Sequence, residues 1–124
     1  IDIGELQSAL AEAHRVLRPG GSFLIANLQN FNTAAIPLGW THEPDGSRRF
    51  CIDHYLCVRP VETAWRGIRI VNWHRPMHRY MQGLLDAGFE LVHFDEPSPY
   101  GVNDAKAERY RRVPNFLVME WRKR

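Results

Sequence analysis

The residue best suited to do chemistry in this sequence is His74, which stands directly before Arg75 and Pro76. Proline favours the first position of a helix, where its missing N–H is harmless, so His74 is expected at a helix N-terminus. An imidazole there can act as a general base or hydrogen-bond a substrate. The alternative is a structural histidine that caps or packs against the helix. Arg75 can pair with an acidic substrate group, or within the protein with Asp53 or Glu62.

Aromatic side chains are concentrated between residues 29 and 75, a stretch that interrupts a regular alternation of helices and strands. Aromatic faces bind planar or apolar ligands at low entropic cost, so this β-rich insert is predicted to cover a substrate pocket. The alternative is a small satellite core beneath a long connection. The candidate substrate-binding residues are Phe31, Trp40, Tyr55, Trp65, Trp73 and Arg75.

A metal site is the other chemistry that the residue types suggest. Cys51, His54 and Cys57 are each separated by two residues, and His74 and His78 have the i, i+4 spacing of a helical face. Such residues ligate zinc. Along a strand, however, the first three would alternate between faces. The proline between the two histidines also places the first outside the helix, so we predict no metal site.

Two helix–strand segments must position these residues. In the first, Asp2 is predicted to cap a helix with Glu5 three residues on, as in a capping box. Pro19 and the pair Gly20-Gly21 end this helix. The apolar run 23–28 then predicts a strand that is covered on both faces. The apolar face of the helix consists of Leu6, Ala9, Leu10, Ala13, Val16 and Leu17.

The second segment begins at Pro76 and is predicted to run as a helix up to Gly88, which is followed by a strand over 89–94. A short basic helix over 104–112 and a last strand over 115–121 follow. The buried stripe of the first of these helices is Met77, Tyr80, Met81, Leu84 and Leu85.

Inside the insert, residues 50–58 and 64–73 predict two antiparallel strands joined by a turn at 60–63. Further turns are marked by Pro37, Gly39 and the run Pro44 to Gly46.

Length and composition limit the possibilities. A chain of 124 residues allows one domain, and a net charge of +2 is too small to indicate nucleic-acid binding. The basic residues of 106–112 and 122–124 are predicted to be solvated surface. Two cysteines without a CxxC spacing fit a reducing cytoplasm. No apolar run is long enough to span a bilayer, and no signal peptide is visible.

The run Arg15 to Gly21, with Glu12 before it and Ser22 to Ala26 after it, resembles the joint before the fifth strand of class I S-adenosylmethionine-dependent methyltransferases, especially their small-molecule branch. Shorter matches to that branch follow in the same order as in the family. They are Trp73 to Pro76, Leu84 to Phe89, the pair Glu96-Pro97 and Pro114 to Leu117.

The resemblance implies an α/β fold, the C-terminal portion of a Rossmann-like methyltransferase sheet with strands five to seven in a mixed arrangement. Residues 22–28 would be the fifth strand, 89–95 the sixth and 115–121 the reversed seventh. The helix 76–87 would be the last one. Residues 1–124 would then form one partial methyltransferase domain, with 29–75 as its insert.

The family's glycine-rich cofactor loop has no match here, because Gly20-Gly21 follows a helix and precedes a strand. Cofactor-binding residues therefore stay unassigned, and only Asp2 and Ile3 are expected near a cofactor. The resemblance implies S-adenosylmethionine in the intact parent and none bound by this chain. Because the sequence starts with Ile, we expect that upstream sequence was removed.

The resulting hypothesis is part of a methyltransferase that acts on a small molecule, with His74 as base and this chain alone inactive. An alternative is a non-catalytic binding or oligomerisation module derived from that fold. A third is a basic RNA-contacting domain, supported only by the arginine cluster. We also expect a homodimer through the exposed edge of the strand 23–28, because free strand edges pair with other chains.

Overall fold

The computed structural model describes residues 2–124. Its helices are α1 (Leu6–Val16), α2 (Asn30–Ala34), α3 (Met77–Asp86) and α4 (Asp104–Arg112). Its strands are β1 (Ser22–Leu28), β2 (Gly39–His42), β3 (Arg48–Cys51), β4 (Arg59–Trp65), β5 (Ile68–His74), β6 (Phe89–Asp95) and β7 (Phe116–Lys123). The strands form a three-stranded sheet in the order β1-β7-β6 and two hairpins, β2–β3 and β4–β5.

The three-stranded sheet is made of the strands that the sequence predicts most clearly. β7 runs antiparallel to both β1 and β6, so those two strands share one direction. A mixed sheet is predicted, but both hydrogen-bonded pairs are antiparallel because the reversed β7 lies between its two neighbours. The register pairs Leu28 with Phe116 and Asp95 with Val118. The carboxyl ends of β1 and β6 and the start of β7 therefore meet at one edge.

The core lies on one face of this sheet, where α1 and α3 cover it. The apolar periodicity of both helices predicts this packing, and the structure confirms it except at Val16 and Leu85, which are 62% and 49% exposed because they lie at the margin of each apolar face. Alternate residues of β7 supply the central row, since side chains of a strand alternate between faces. The buried cluster consists of Leu10, Leu84, Phe89, Leu117, Met119 and Trp121.

The prediction that β1 is covered on both faces is wrong. Phe23 and Ile25 pack against the core, whereas Leu24 on the opposite face is 70% exposed. An apolar run does not reveal whether one face or two is buried. Among the described residues, the helices that cover β1 lie on one face only.

The predicted cap at Asp2 is also wrong. α1 begins at Leu6, with Glu5 at the capping position and no side-chain hydrogen bond there. The reason is a tertiary contact, because the carbonyl oxygens of Ile3 and Gly4 both accept hydrogen bonds from Arg75. Those hydrogen bonds keep residues 3 and 4 out of α1, so the helix starts only at Leu6.

The insert differs from its prediction in where the strands lie. Residues 52–58 form a loop, and the predicted turn at 60–63 lies inside β4. The turn of this hairpin is Arg66-Gly67, where both residues have the positive φ of a two-residue type I′ turn. Pro60 is tolerated because both strands of a two-stranded hairpin are edges. The Arg59 guanidinium donates to the His54 carbonyl at 2.9 Å and holds the loop.

Candidate functional site

His74 lies at the end of β5 with none of its surface exposed. Its Nε2 lies 2.8 Å from the Tyr55 carbonyl oxygen, and its Nδ1 lies 2.7 Å from the Thr33 hydroxyl. A carbonyl oxygen only accepts, so Nε2 donates, and in a neutral ring Nδ1 accepts from Thr33. Both ring nitrogens are thus engaged by the protein.

The surroundings of His74 favour its neutral form. Burial lowers the pKa of His74 below its ordinary value, the hydrogen bond to the Tyr55 carbonyl opposes this, and the charge of Arg59 lowers the pKa further. A neutral imidazole has the protonation state of a base, but its lone pair faces Thr33. Action as a general base, which stays a prediction, therefore requires displacement of the Thr33 hydroxyl.

Tyr55 connects the insert to the start of α3. Its phenol oxygen accepts a hydrogen bond from the Met77 N–H at 3.1 Å, which satisfies a donor of the first helical turn. Its ring lies edge-on to His74 at 5.7 Å between centroids and tilted against Phe31 at 5.9 Å. Three of the predicted site residues, Phe31, Tyr55 and His74, are therefore brought together.

Arg75 is only 4% exposed and points toward the start of the chain. Its Nη2 donates to the carbonyl oxygens of Ile3 and Gly4, both at 2.6 Å, and its guanidinium lies 5.5 Å from the centre of the Trp73 ring. Its Nη1 is buried without a hydrogen-bond partner in residues 2–124. Within the same residues, no ion pair joins Arg75 to Asp53 or Glu62.

The other two predicted aromatic residues lie apart from this cluster. Trp40 packs edge-on against Phe50 at 5.3 Å, and the Arg112 guanidinium of α4 lies 5.0 Å from its ring centre. Trp65 lies beside the turn of the β4–β5 hairpin and is 46% exposed. The predicted aromatic cover is thus divided among separate places in the insert.

Sequence reasoning missed the polar residues that follow β1. Gln29 donates to Glu96 at 2.8 Å and accepts from the Phe31 N–H at 2.7 Å, which caps α2. The Asn30 amide donates to the Arg75 carbonyl. Gln29, Asn30 and Thr33 are all buried. The available signal was the predominance of polar residues in 29–33, directly after an apolar strand and at the edge where α/β sheets bind ligands.

A cavity of about 320 Å³ at the same edge was also missed. It is formed by the segment after β6, by α4 and by the start of β7. Asn115 in its wall accepts a hydrogen bond from the Gln29 N–H at 3.0 Å, so the cavity adjoins the polar residues after β1. The residues around it include Pro97, Ser98, Pro99, Tyr100, Val102, Lys106, Tyr110 and Phe116.

The described residues offer no glycine-rich cradle for a nucleoside cofactor. Within residues 2–124, the loops that lead from a strand into a helix contain a single glycine, Gly101. The Gly20 and Gly21 N–H groups are bonded to the carbonyls of Lys123 and Arg18, at 2.9 Å each, and cannot serve a ligand.

In the described part of the chain, no group of three or more His, Cys, Asp or Glu side chains is placed to hold a metal ion. Within residues 2–124, no helix combines the length and the apolar composition that crossing a bilayer demands.

Known proteins were compared by sequence and by structure. No protein-family model matches the sequence, and no curated protein matches it. By structure, 98% of the chain matches a protein of Listeria monocytogenes assigned to the S-adenosylmethionine-dependent methyltransferases, with a TM-score of 0.87 and 22% identity. The same share matches an S-adenosylmethionine-dependent methyltransferase of Mesorhizobium loti, with a TM-score of 0.85 and 25% identity. The glycopeptide N-methyltransferase MtfA matches less well, with a TM-score of 0.50 and 13% identity.

The matches cover nearly all of this chain but little more than half of each matched protein. The chain spans 56% of the Listeria monocytogenes protein and 57% of the Mesorhizobium loti protein. The chain therefore has the fold of about half of an S-adenosylmethionine-dependent methyltransferase, as its resemblance predicts.

Proposed function

We propose that this chain is the acceptor-binding half of an S-adenosylmethionine-dependent methyltransferase that acts on a small molecule. The observation that carries the proposal is the match of nearly the whole chain to little more than half of two such proteins. The chain contributes the edge of the sheet at which α/β enzymes bind ligands. Both the polar cluster after β1 and the cavity beside Asn115 lie at that edge.

The strand order supports the finer assignment. The resemblance implies a reversed seventh strand, and β7 runs antiparallel to both β1 and β6. In this proposal β1 is the fifth strand, β6 the sixth and β7 the seventh. The insert 29–75 then follows the fifth strand and covers the acceptor.

The roles of the insert residues follow from their contacts. Phe31 and Tyr55 present aromatic surface beside the buried His74. His74 holds the Tyr55 loop and α2 together, and it becomes a base only when an acceptor displaces Thr33. Arg75 fixes the segment that leads into α1. Of the remaining candidates, Trp40 packs against Phe50, Trp65 lies beside the hairpin turn, and Trp73 lies against the Arg75 guanidinium.

The cofactor contacts are proposed to come from residues outside this chain. The Gly20-Gly21 turn is internally hydrogen-bonded, and the side chains after β1 are engaged with protein groups. S-adenosylmethionine would therefore bind the intact protein, and this chain by itself would be inactive.

A non-catalytic binding or oligomerisation module remains the second candidate, favoured by the free edge of β1 and the exposed Leu24 beside it. We propose that two copies of this chain pair through this strand. Sedimentation at increasing concentration should show a dimer that Leu24→Lys weakens. A monomer at all concentrations would argue against pairing.

The experiment that tests the main proposal is a calorimetric titration with S-adenosylhomocysteine. We expect no saturable heat for the 124-residue chain. When the coding frame upstream of Ile1 is restored, we expect micromolar binding and methyl transfer to a small acceptor. Saturable binding by the short chain would overturn the missing-half proposal. An upstream frame without a strand and glycine-rich loop would favour the second candidate.

The cellular location is also a proposal. Cys51 and Cys57 are both free thiols, which fits a reducing compartment such as the cytoplasm.

A further inference from the structure

The cavity of about 320 Å³ beside β7 has the size and lining of a small-molecule site. Ligand pockets begin at about 300 Å³ and combine apolar walls with a few polar groups. Here the apolar walls are prolines and aromatic rings, and the polar groups are a lysine, a serine and an asparagine. The residues that matter for the argument are Pro97, Pro99, Tyr100, Lys106, Tyr110 and Phe116.

Two aromatic residues of this cavity are largely exposed to solvent. Tyr100 is 97% exposed and Phe116 is 50% exposed, although both line the same concave surface. Rings that remain in water gain the most free energy when a ligand covers them. A planar aromatic ligand is the partner that such surfaces favour.

The charge in the cavity is positive. Lys106 is half-buried, and its Nζ lies 5.6 Å from the centre of the Tyr110 ring. Among the described residues, no carboxylate lies within ion-pair distance of this ammonium group. A partly desolvated cation without a counter-charge favours an anionic group on the ligand.

The walls are held in place before any ligand binds. The Asn103 side chain accepts from the Lys106 N–H at 2.9 Å and fixes the start of α4. Arg112 donates to the Arg48 carbonyl at 2.7 Å and anchors the end of the same helix. On the opposite wall, Pro97 and Pro99 restrict the backbone. A preformed site loses less entropy on binding.

We infer that this cavity binds a planar aromatic carboxylate, with its ring against Tyr100 and Phe116 and its anionic group at the Lys106 ammonium. The binding site itself does not depend on the methyltransferase assignment. The further role of this ligand as the methyl acceptor rests on the proposed function.

The test is a titration of the ¹⁵N-labelled chain with 2-naphthoate and, separately, with the neutral 2-naphthamide. Amide chemical-shift changes should concentrate in residues 97–116, and naphthoate should bind about fivefold more tightly than naphthamide. Lys106→Gln should abolish that difference. The matched control, Arg111→Gln, removes one positive charge from an exposed position of the same helix and should preserve it.

A second pair of variants tests the aromatic contact. Tyr100→Ala should weaken both ligands by about three- to tenfold, while the protein stays folded because the side chain is exposed. Leu56→Ala, which truncates an exposed apolar residue elsewhere, should leave both affinities unchanged.

Equal affinity for the two ligands, equal effects of Lys106→Gln and Arg111→Gln, or shifts dispersed outside 97–116 would each overturn the inference. The absence of any binding would overturn it as well. None of these outcomes bears on the titration with S-adenosylhomocysteine, so the failure of one proposal can be distinguished from the failure of the other.

Discussion

The region around His74 and the cavity beside Phe116 lie at the same edge of the sheet but are built in opposite ways. His74 has no exposed surface and both its ring nitrogens are bonded, whereas the cavity leaves Tyr100 almost fully exposed. The residues that look most catalytic are thus engaged in holding the insert together. The accessible cavity is lined by residues between 97 and 116, where the sequence predicts no candidate site residue. Residue type alone therefore does not separate a structural network from a binding surface.

The largest expected effect concerns the buried side of this comparison. His74→Ala should lower the free energy of unfolding by about 3 kcal/mol, because it leaves a void, removes the donor to the Tyr55 carbonyl and leaves the Thr33 hydroxyl only its contact with the Asn30 carbonyl. Urea denaturation measures this change. Tyr100→Ala is the control and should stay within about 0.5 kcal/mol of the parent. Similar losses of unfolding free energy in both variants would contradict the distinction between a structural His74 and an exposed Tyr100.

Arg75→Met is expected to have the next largest effect, a loss of about 2 kcal/mol. The variant removes the two charge-assisted bonds that hold the Ile3 and Gly4 carbonyls. Hydrogen exchange should therefore become faster in the first turn of α1. The matched control is Arg79→Met, an exposed arginine on α3. If Arg75→Met left exchange in α1 unchanged, these two bonds would not organise that segment.

The fold was predictable where the signals are local. The stripe from Met77 to Leu85 and the stop at Gly88 specify α3 and β6 without reference to the rest of the chain. The insert was not predictable in detail, since Pro60 indicates a turn but lies in an edge strand. The type I′ turn at Arg66-Gly67 provides no strong dipeptide signal.

In the candidate site, too, local sequence signals predict the position of a residue but not its distant contacts. The position of His74 before α3 follows from Pro76, but its partners Thr33 and Tyr55 are 41 and 19 residues away along the chain. Such contacts depend on how the insert folds back over β1. The cavity residues Tyr100 and Tyr110 follow no periodicity that would indicate a shared surface.

The acid sensitivity of the protein provides a third, smaller effect. Because the pKa of His74 is lowered in the folded state, the unfolded chain binds the proton more readily. This contribution is constant above a pH of about 6.5, and the free energy of unfolding falls as the pH decreases below that value. For one proton the slope cannot exceed about 1.4 kcal/mol per pH unit. Urea denaturation between pH 5 and 8 should show this decrease in the free energy of unfolding. His74→Gln should remove the part of the decrease that is due to His74. An unchanged slope in the variant would assign the acid sensitivity to other groups.

The smallest expected effect separates packing from hydrogen bonding at Tyr55. Tyr55→Phe keeps the ring contacts with Phe31 and His74 but removes the oxygen that accepts the Met77 N–H. Loss of a capping acceptor costs about 1 kcal/mol, so the variant should be only slightly less stable than the parent. The amide of Met77 should exchange faster, while the ring contacts to His74 persist in nuclear Overhauser spectra. Tyr110→Phe, in the wall of the open cavity, is the matched control and should leave the amide of Met77 unaffected. A loss for Tyr55→Phe as large as that for His74→Ala would show that the phenol oxygen, rather than the imidazole, holds the insert against α3.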